Sequence, residues 1–261
     1  LDLSARTMPN RSKKKLLLIL LLIFSSCGCA TIYNPATGRN ERLIIDTAQE
    51  VSIGKDMDKE LRQNLSISHD AIMQNRLDSI GCKMAAVSDR QDLSYAFRLV
   101  DDKELNAFAI PGGFIFVNTG LMQAANDDEL ACVLGHEIGH VAARHAAKSI
   151  QANLGYQILA GVAIGATGGQ SLGTALDSIY ALGSLKYSRA DETFADKLSV
   201  RYSMRAGYNP YGMATFLEKL YYEERDHNGS YTAAFLRSHP DVGQRIKAVV
   251  NEIISSRNKP K

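Results

Sequence analysis

The chain has 261 residues, 45% of them hydrophobic, which is ordinary for a folded protein with one generous domain or two small ones. Its 30 Lys and Arg residues nearly balance its 28 Asp and Glu residues. Because a nucleic-acid-binding surface needs a marked basic excess, this balance argues against a nucleic-acid partner.

The N-terminal segment has the pattern of a secretory signal. Basic residues between Arg11 and Lys15 run directly into the apolar block Leu16–Phe24. That block has about nine residues, whereas a permanent membrane helix needs about 20. Met8 is the more natural start of such a signal, so we expect residues 1–7 to be untranslated or dispensable and predict a signal peptide over residues 1–26.

Small residues and two cysteines follow the apolar block. Cys27, directly after two serines, resembles the lipidated cysteine of bacterial lipoproteins, and Cys29 is the alternative. An ordinary cleaved signal is the competing interpretation. Two acyl chains on a cysteine anchor a protein stably without spanning the bilayer. We therefore predict a lipid anchor on the periplasmic side of the bacterial envelope, with residues 27–45 as lipidated N-terminus and turn-rich tether; the residues after the cysteine leave the choice between inner and outer membrane open.

A mostly helical domain is predicted over residues 46–261. Asp46 can cap a first helix, and a second helix covers residues 70–87. Residues 93–120 are instead rich in aromatic and β-branched side chains, with the Pro-Gly-Gly at 111–113 as a turn between two strands. This is the one clear β-sheet that the sequence predicts.

The remaining pattern is helical again. Asn126, with Glu129 three residues later, forms the capping box of the next helix. Residues 154–185 are apolar but interrupted by glycines, which predicts two loosely packed helices that cover a site or touch lipid. A later helix ends at Gly207, and an amphipathic helix closes the domain.

Two cysteines lie inside the predicted domain. Both Cys82 and Cys132 are expected to be buried small side chains: Cys132 lies on an apolar helix face, and Cys82 follows Gly81 near a predicted helix end. An oxidising envelope would permit a bridge between them, but the sequence does not decide the pairing.

The segment His136-Glu-Ile-Gly-His140 has the spacing of a metal-binding motif. Residues four apart share one face of a helix, so His136 and His140 can bind a common ion. Zinc accepts neutral imidazole nitrogens and, with three protein ligands, leaves one tetrahedral position for water. Glu137 is rotated by roughly 100° from His136. It therefore lies beside the pair, where it can take a proton from that water.

A third ligand is expected from a separate helix, and Glu192 is the best candidate. Glu192 and Asp196 are four residues apart, so one carboxylate can bind the ion while the other accepts the outer N–H of a ligand histidine. Two solvated acids on a surface helix are the alternative. His145 follows His140 by five residues and is rotated by about 140° on a continuous helix. We interpret it as a packing or surface residue and not as a ligand.

Together these motifs resemble the HtpX-like family of gluzincin metallopeptidases. The resemblance rests on HEIGH, the later E-x-x-x-D, NAFAIPGGFIFVNTGLM and SHPDVGQRI, and covers about Asn34–Ile254. Its closest likeness is to lipidated envelope members that clear or assemble outer-membrane proteins. It implies an α+β, mostly helical zincin-type domain with one small sheet. It also implies one zinc ion per chain, with Glu137 as general base, Asp196 behind the ligands, and as ligands His136, His140 and Glu192.

The resemblance adds two residues near the C-terminus. A family histidine in S-H-P lies near the metal, which implies that His239 stabilises the oxyanion or occupies the open position in a resting state. A helix-cap or surface role for His239 is the alternative. Arg245 belongs to the same segment and would face the substrate carbonyl oxygen or make an ion pair.

These expectations predict a zinc endopeptidase that acts on unfolded or misassembled envelope proteins. An extended substrate is expected to pair with an exposed edge strand, because backbone pairing needs little sequence preference. Association with the outer-membrane assembly machinery is a further expectation. The alternative function is an envelope chaperone or assembly factor with a gated or structural zinc site. The predicted substrate-binding residues are Asn106, Ala107, Phe108, Ala109 and Ile110.

Overall fold

The computed structural model describes residues 30–153, 187–226, 235–236, 239 and 241–258. The predicted signal, the candidate lipidation sites Cys27 and Cys29, and the glycine-interrupted segment 154–185 lie outside the described residues. In the part of the chain that the structure describes, no helix combines the length and the apolar character that crossing a membrane requires.

The first described element is a β-hairpin. Strand β1 (Ala30–Asn34) pairs antiparallel with β2 (Arg39–Leu43). The Asn34 side chain accepts a hydrogen bond from the Ala36 N–H at 3.0 Å, and Gly38 adopts a left-handed φ of 66° that glycine allows without strain. The sequence predicted a turn-rich tether here. The turn is present, but it joins two strands, so the fold has a second small sheet.

Two capped helices follow the hairpin. Helix α1 (Thr47–Asn64) begins with a capping box, in which the side chains of Asp46 and Gln49 each accept the other residue's backbone N–H. Helix α2 (Ala71–Ala86) begins at Asp70, whose side chain accepts from two backbone N–H groups. Both helix starts were predicted, because the caps are local sequence features.

The predicted sheet has three strands, in the order β3 (Ala96–Val100), β5 (Phe114–Asn118) and β4 (Ala107–Ile110). The central strand β5 runs parallel to β3 and antiparallel to β4, and all five of its residues are buried. The predicted Pro-Gly-Gly turn is a short 3₁₀ segment, Pro111–Gly113. Strand β4 is therefore an edge strand, as predicted.

Helix α4 (Asp127–Ala142) lies in the middle of the fold and contacts α2, β4 and two later helices. It packs most closely against the helix that begins at Arg189. A Cβ atom added to Gly139 would lie 3.1 Å from the carbonyl oxygen of Ala195, so this glycine permits the close approach. The remaining helices are α3 (Thr119–Ala124), α5 (Arg189–Ala206), α6 (Gly212–Asp226) and α7 (Val242–Arg257).

The two cysteines of the domain are unpaired and differ in their environments. Cys132 is buried on α4, and burial raises the pKa of its thiol to about 12. Cys82 is exposed, so the prediction that it is buried is wrong. The inward face of α2 is taken by Ile80, Gly81 and Met84, which leaves Cys82 on the outer face.

Candidate metal centre

The two motif histidines lie on α4 and are fully buried. The helix begins with the predicted Asn126 and Glu129 capping box. Two turns further on, the Nε2 atoms of His136 and His140 face each other at 3.0 Å. Their rings are tilted by 77°. The predicted spacing therefore brings two imidazole nitrogens to one point in the core.

A carboxylate and a third imidazole complete the group. Glu192 on α5 places one oxygen 3.4 Å from His136 Nε2 and the other 3.3 Å from His140 Nε2. His239 places its Nδ1 3.0 Å from both Glu192 oxygens and 3.3 Å from His136 Nε2. One donor atom from each of these four buried residues lies within 4.8 Å of the others.

The donor spacing fits a tetrahedral divalent ion. Zinc bonds of about 2.0–2.1 Å separate tetrahedral donors by roughly 3.4 Å. The separations between His136, His140, Glu192 and His239 are 3.0–3.4 Å for the pairs given above. Three nitrogens and a carboxylate are also the ligand chemistry that zinc takes. The group thus has the composition and the size of a metal site.

Asp196 and Arg245 lie behind His136. Asp196 Oδ1 is 2.8 Å from His136 Nδ1, and Arg245 donates to both Asp196 oxygens, at 2.9 and 2.7 Å. Burial opposes ionisation of Asp196, but Arg245 and His136 lower its pKa to about 2. Of the two expectations for Arg245, the ion pair is the arrangement observed.

The same contacts govern the charge of His136 and Glu192. Burial and Arg245 oppose protonation of His136, but the carboxylates of Asp196 and Glu192 outweigh them and raise its pKa to about 9. Burial works against the Glu192 anion, yet the three surrounding histidines lower its pKa far below the usual range. A positive charge at this point is therefore electrostatically favoured.

Glu137 lies beside the donor group, as predicted from its rotation on α4. Both of its oxygens are buried and, among the described residues, neither has a hydrogen-bond partner. One oxygen is 3.5 Å from His239 Nε2. Burial raises the pKa of Glu137, against the lowering influence of His239 and His136. A buried carboxylate without a hydrogen-bond partner destabilises the fold unless a bound molecule supplies the hydrogen bond.

Sequence reasoning missed two residues that contact His140. His145 is not part of the donor group, as predicted, but its Nδ1 is 2.8 Å from His140 Nδ1. Tyr187 stacks on the His140 ring with the centroids 4.1 Å apart. Its buried hydroxyl finds no partner in the described part of the chain. Helical spacing offered no signal for either contact, because α4 ends before His145 and Tyr187 precedes another helix.

Strand β4 lies beside the metal centre. The backbone of β4, the predicted substrate-binding strand, lies at the sheet edge, but the side chains of Ala107, Ala109 and Ile110 are buried. Phe108 is half-buried and stacks on a neighbouring phenyl ring, and Asn106 is half-buried. The end of β4 faces α4 across a gap too narrow to hold water, and His140 and Tyr187 line it.

This helical zincin-type domain with a buried donor group is that of a metallopeptidase. The model of peptidase family M48 matches residues 71–253, well over half of the chain. The chain belongs to this family.

Individual relatives of this chain are also named as proteases or endopeptidases. The chain is 27% identical over 224 residues to the beta-barrel assembly-enhancing protease of Escherichia coli, covering 81% of this chain and 45% of the relative. It is 30% identical over 180 residues to the Escherichia coli metalloprotease LoiP, covering 67% of this chain and 68% of LoiP. It is 35% identical over 164 residues to the Arabidopsis thaliana mitochondrial metalloendopeptidase OMA1, covering 62% of this chain and 32% of that protein. The chain spans less than half the length of the beta-barrel assembly-enhancing proteases it matches.

Proposed function

We propose that the protein is a zinc-dependent endopeptidase of the bacterial cell envelope that cleaves unfolded or misassembled proteins. The observation that carries the proposal is the convergence of His136, His140 and Glu192, with the unpartnered carboxylate of Glu137 beside them. These three residues would hold one zinc ion, which when bound acts as a Lewis acid toward water and the scissile carbonyl.

Glu137 is assigned as the general base. Its oxygens have no internal partner among the described residues, so they are free to accept a proton from the attacking water. Burial raises its pKa toward the range in which a carboxylate can both take and return a proton. Glu137 then delivers that proton to the leaving amine.

Asp196 and Arg245 are assigned to hold His136. The ionised Asp196 accepts the Nδ1–H of His136, which leaves the Nε2 lone pair directed at the donor group. Arg245 keeps Asp196 ionised and fixed through two hydrogen bonds. We assign Arg245 a positioning role and not a contact with the substrate carbonyl, because its guanidinium is already engaged.

The substrate is expected to bind along β4. This strand pairs with β5 on one side only, so the backbone of Asn106, Ala107, Phe108, Ala109 and Ile110 offers an edge for an extended chain. This edge lies next to α4, the helix that carries Glu137 and the two motif histidines. Pairing through backbone atoms suits unfolded proteins of varied sequence.

The position of His239 favours a second candidate function. Its Nδ1 lies among the other donors, so a bound zinc ion would have four protein ligands, which is the closed arrangement of structural sites. The protein would then be an envelope chaperone or assembly factor with a gated or structural zinc. If His239 is a gate, replacing it with Ala raises cleavage; if it stabilises the oxyanion, the same change lowers cleavage.

The envelope assignment is supported by the N-terminal sequence, and the name of the beta-barrel assembly-enhancing proteases among the relatives supports a role in β-barrel assembly. A basic stretch, an apolar block and then Cys27 or Cys29 form the pattern of a lipoprotein signal. Because OMA1 is named a mitochondrial enzyme, the family alone does not assign a compartment. We propose a lipid anchor at the outer membrane and an association with its assembly machinery, and mass spectrometry of the mature N-terminus tests the anchor.

Replacing Glu137 with Gln tests the proposed function. Zinc content, measured by atomic absorption, should be unchanged, while cleavage of casein should fall by at least about 100-fold. Asp127→Asn makes the same charge change at the exposed start of the same helix and should alter neither quantity. Cleavage that survives in the Glu137 variant would disprove the assigned base. A zinc-bound wild type that cleaves nothing would support the chaperone function.

A further inference from the structure

The outer nitrogens of the two motif histidines have different partners. His136 Nδ1 faces the carboxylate of Asp196 at 2.8 Å. His140 Nδ1 faces another imidazole nitrogen, His145 Nδ1, also at 2.8 Å. On its far side, His145 Nε2 lies 3.3 Å from an oxygen of Asp191. His140, His145 and Asp191 therefore form a chain that leads from the metal centre to the start of α5.

When His140 binds an ion, hydrogen-bond chemistry allows only one placement of the ring protons on His140 and His145. His140 turns its Nε2 toward the donor group, so its Nδ1 carries the proton and donates. His145 Nδ1 must then accept. A neutral imidazole that accepts at Nδ1 carries its proton on Nε2, where it faces the Asp191 carboxylate.

The backbone explains how His145 reaches this position. Helix α4 ends at Ala142, and Arg144 has a left-handed φ of 57° before a new helical segment begins. The buried Arg144 guanidinium lies 3.3 Å from Glu50 and donates to Thr47 on α1. These contacts hold a backbone conformation that non-glycine residues rarely adopt. The reversal returns the His145 ring to the His140 side of the helix.

The ring of His145 is confined on its other sides. Tyr187 and Phe194 pack against it with centroid distances of 5.7 and 6.3 Å. Asp191 is also fixed, because its second oxygen accepts the Ser188 N–H in the capping box of α5. His145 and Asp191 are thus each restrained by contacts outside the hydrogen-bonded series.

We infer that His145 is a positioning residue that holds His140 in the Nε2-binding tautomer and orientation, with Asp191 orienting His145 in turn. The inference rests on the proposed metal ligation by His140. His145 would accept the outer N–H of His140 as Asp196 accepts the outer N–H of His136, with an imidazole in place of a carboxylate. Loss of such an outer partner typically weakens metal binding by about 10–100-fold.

Two substitutions separate positioning from simple packing. His145→Leu fills space but cannot accept a hydrogen bond, whereas His145→Asn is smaller and places its side-chain oxygen near the position of Nδ1. A packing role predicts that Leu is tolerated better than Asn. A positioning role predicts the reverse order. His69→Leu, at an exposed histidine, is the matched control.

The experiment measures zinc affinity of the full chain by competition with a chromophoric chelator, and thermal unfolding of the metal-free proteins. We expect His145→Leu to lose about 10–100-fold in zinc affinity, His145→Asn to retain most of it, and His69→Leu to match wild type. Wild-type affinity in His145→Leu, or equal losses in both His145 variants, would overturn the inference. A wild type that binds zinc while Glu137→Gln still cleaves would overturn the assigned base alone.

A second readout does not depend on mutation. Nitrogen-detected NMR of the zinc-loaded protein should find His145 neutral, with the proton on Nε2. A proton on its Nδ1 would overturn the inference, since that nitrogen could not accept from His140. A wild-type chain that binds no zinc would overturn both this inference and the proposed function.

Discussion

Replacing Arg245 with Met removes one partner of the ion pair behind the metal centre. Both Arg245 and Asp196 are almost fully buried, and two hydrogen bonds of 2.9 and 2.7 Å join them. The change leaves the Asp196 carboxylate in the core with His136 as its remaining close partner. Breaking a buried pair from one side costs about 3–5 kcal/mol. For a domain of about 200 residues this corresponds to a fall in Tm of roughly 6–20 °C.

Urea and thermal unfolding of the metal-free protein measure this loss, with Arg62→Met as the matched control. Arg62 pairs with Asp58 at 3.2 Å but is about half exposed, so its loss should cost less than about 1 kcal/mol. The double variant Arg245→Met, Asp196→Asn removes both buried charges and should recover part of the stability. If Arg245→Met costs no more than Arg62→Met, the reasoning about the buried pair is refuted.

Two further predictions concern stability. A Cβ on Gly54 would lie 1.9 Å from the Pro111 carbonyl oxygen, so Gly54→Ala should destabilise the protein by about 1–3 kcal/mol. A Cβ on Gly243 meets nothing within 4 Å, so Gly243→Ala should stabilise the protein by up to about 1 kcal/mol. Equal urea unfolding midpoints for the two variants would contradict this prediction. Burial opposes the Glu129 anion, but Lys219 and its other partners lower its pKa below the ordinary 4.5. The stability lost in Lys219→Met, about 1 kcal/mol at pH 7, should therefore disappear as the pH falls through the folded-state pKa of Glu129, and a loss independent of pH would speak against the ion pair.

Several local features were predictable because neighbouring residues determine them. The caps at Asp46 and Asn126 satisfy backbone N–H groups within three residues, so the helix starts are observed where they were predicted. Helix geometry alone predicts that His136 and His140, four residues apart, lie on one face of the helix. The Pro-Gly-Gly turn joins two strands for the same local reason. The pairing of β1 with β2 was not predicted, because strand pairing across the 34–39 turn depends on residues on both sides of it.

The sequence by itself determined the metal-binding spacing and the starts of α1, α2 and α4, since these depend on short-range patterns, and its motifs carried the family resemblance that predicted the class of peptidase. Only the tertiary structure decided which outer partners the ligands receive. Whether His239 and Arg245 reach α4 depends on how α5 packs against α4 and how α7 packs against α5. The partnership of His145 with His140 depends on where α4 ends, because the rotation expected for a continuous helix no longer applies once the backbone reverses at Arg144.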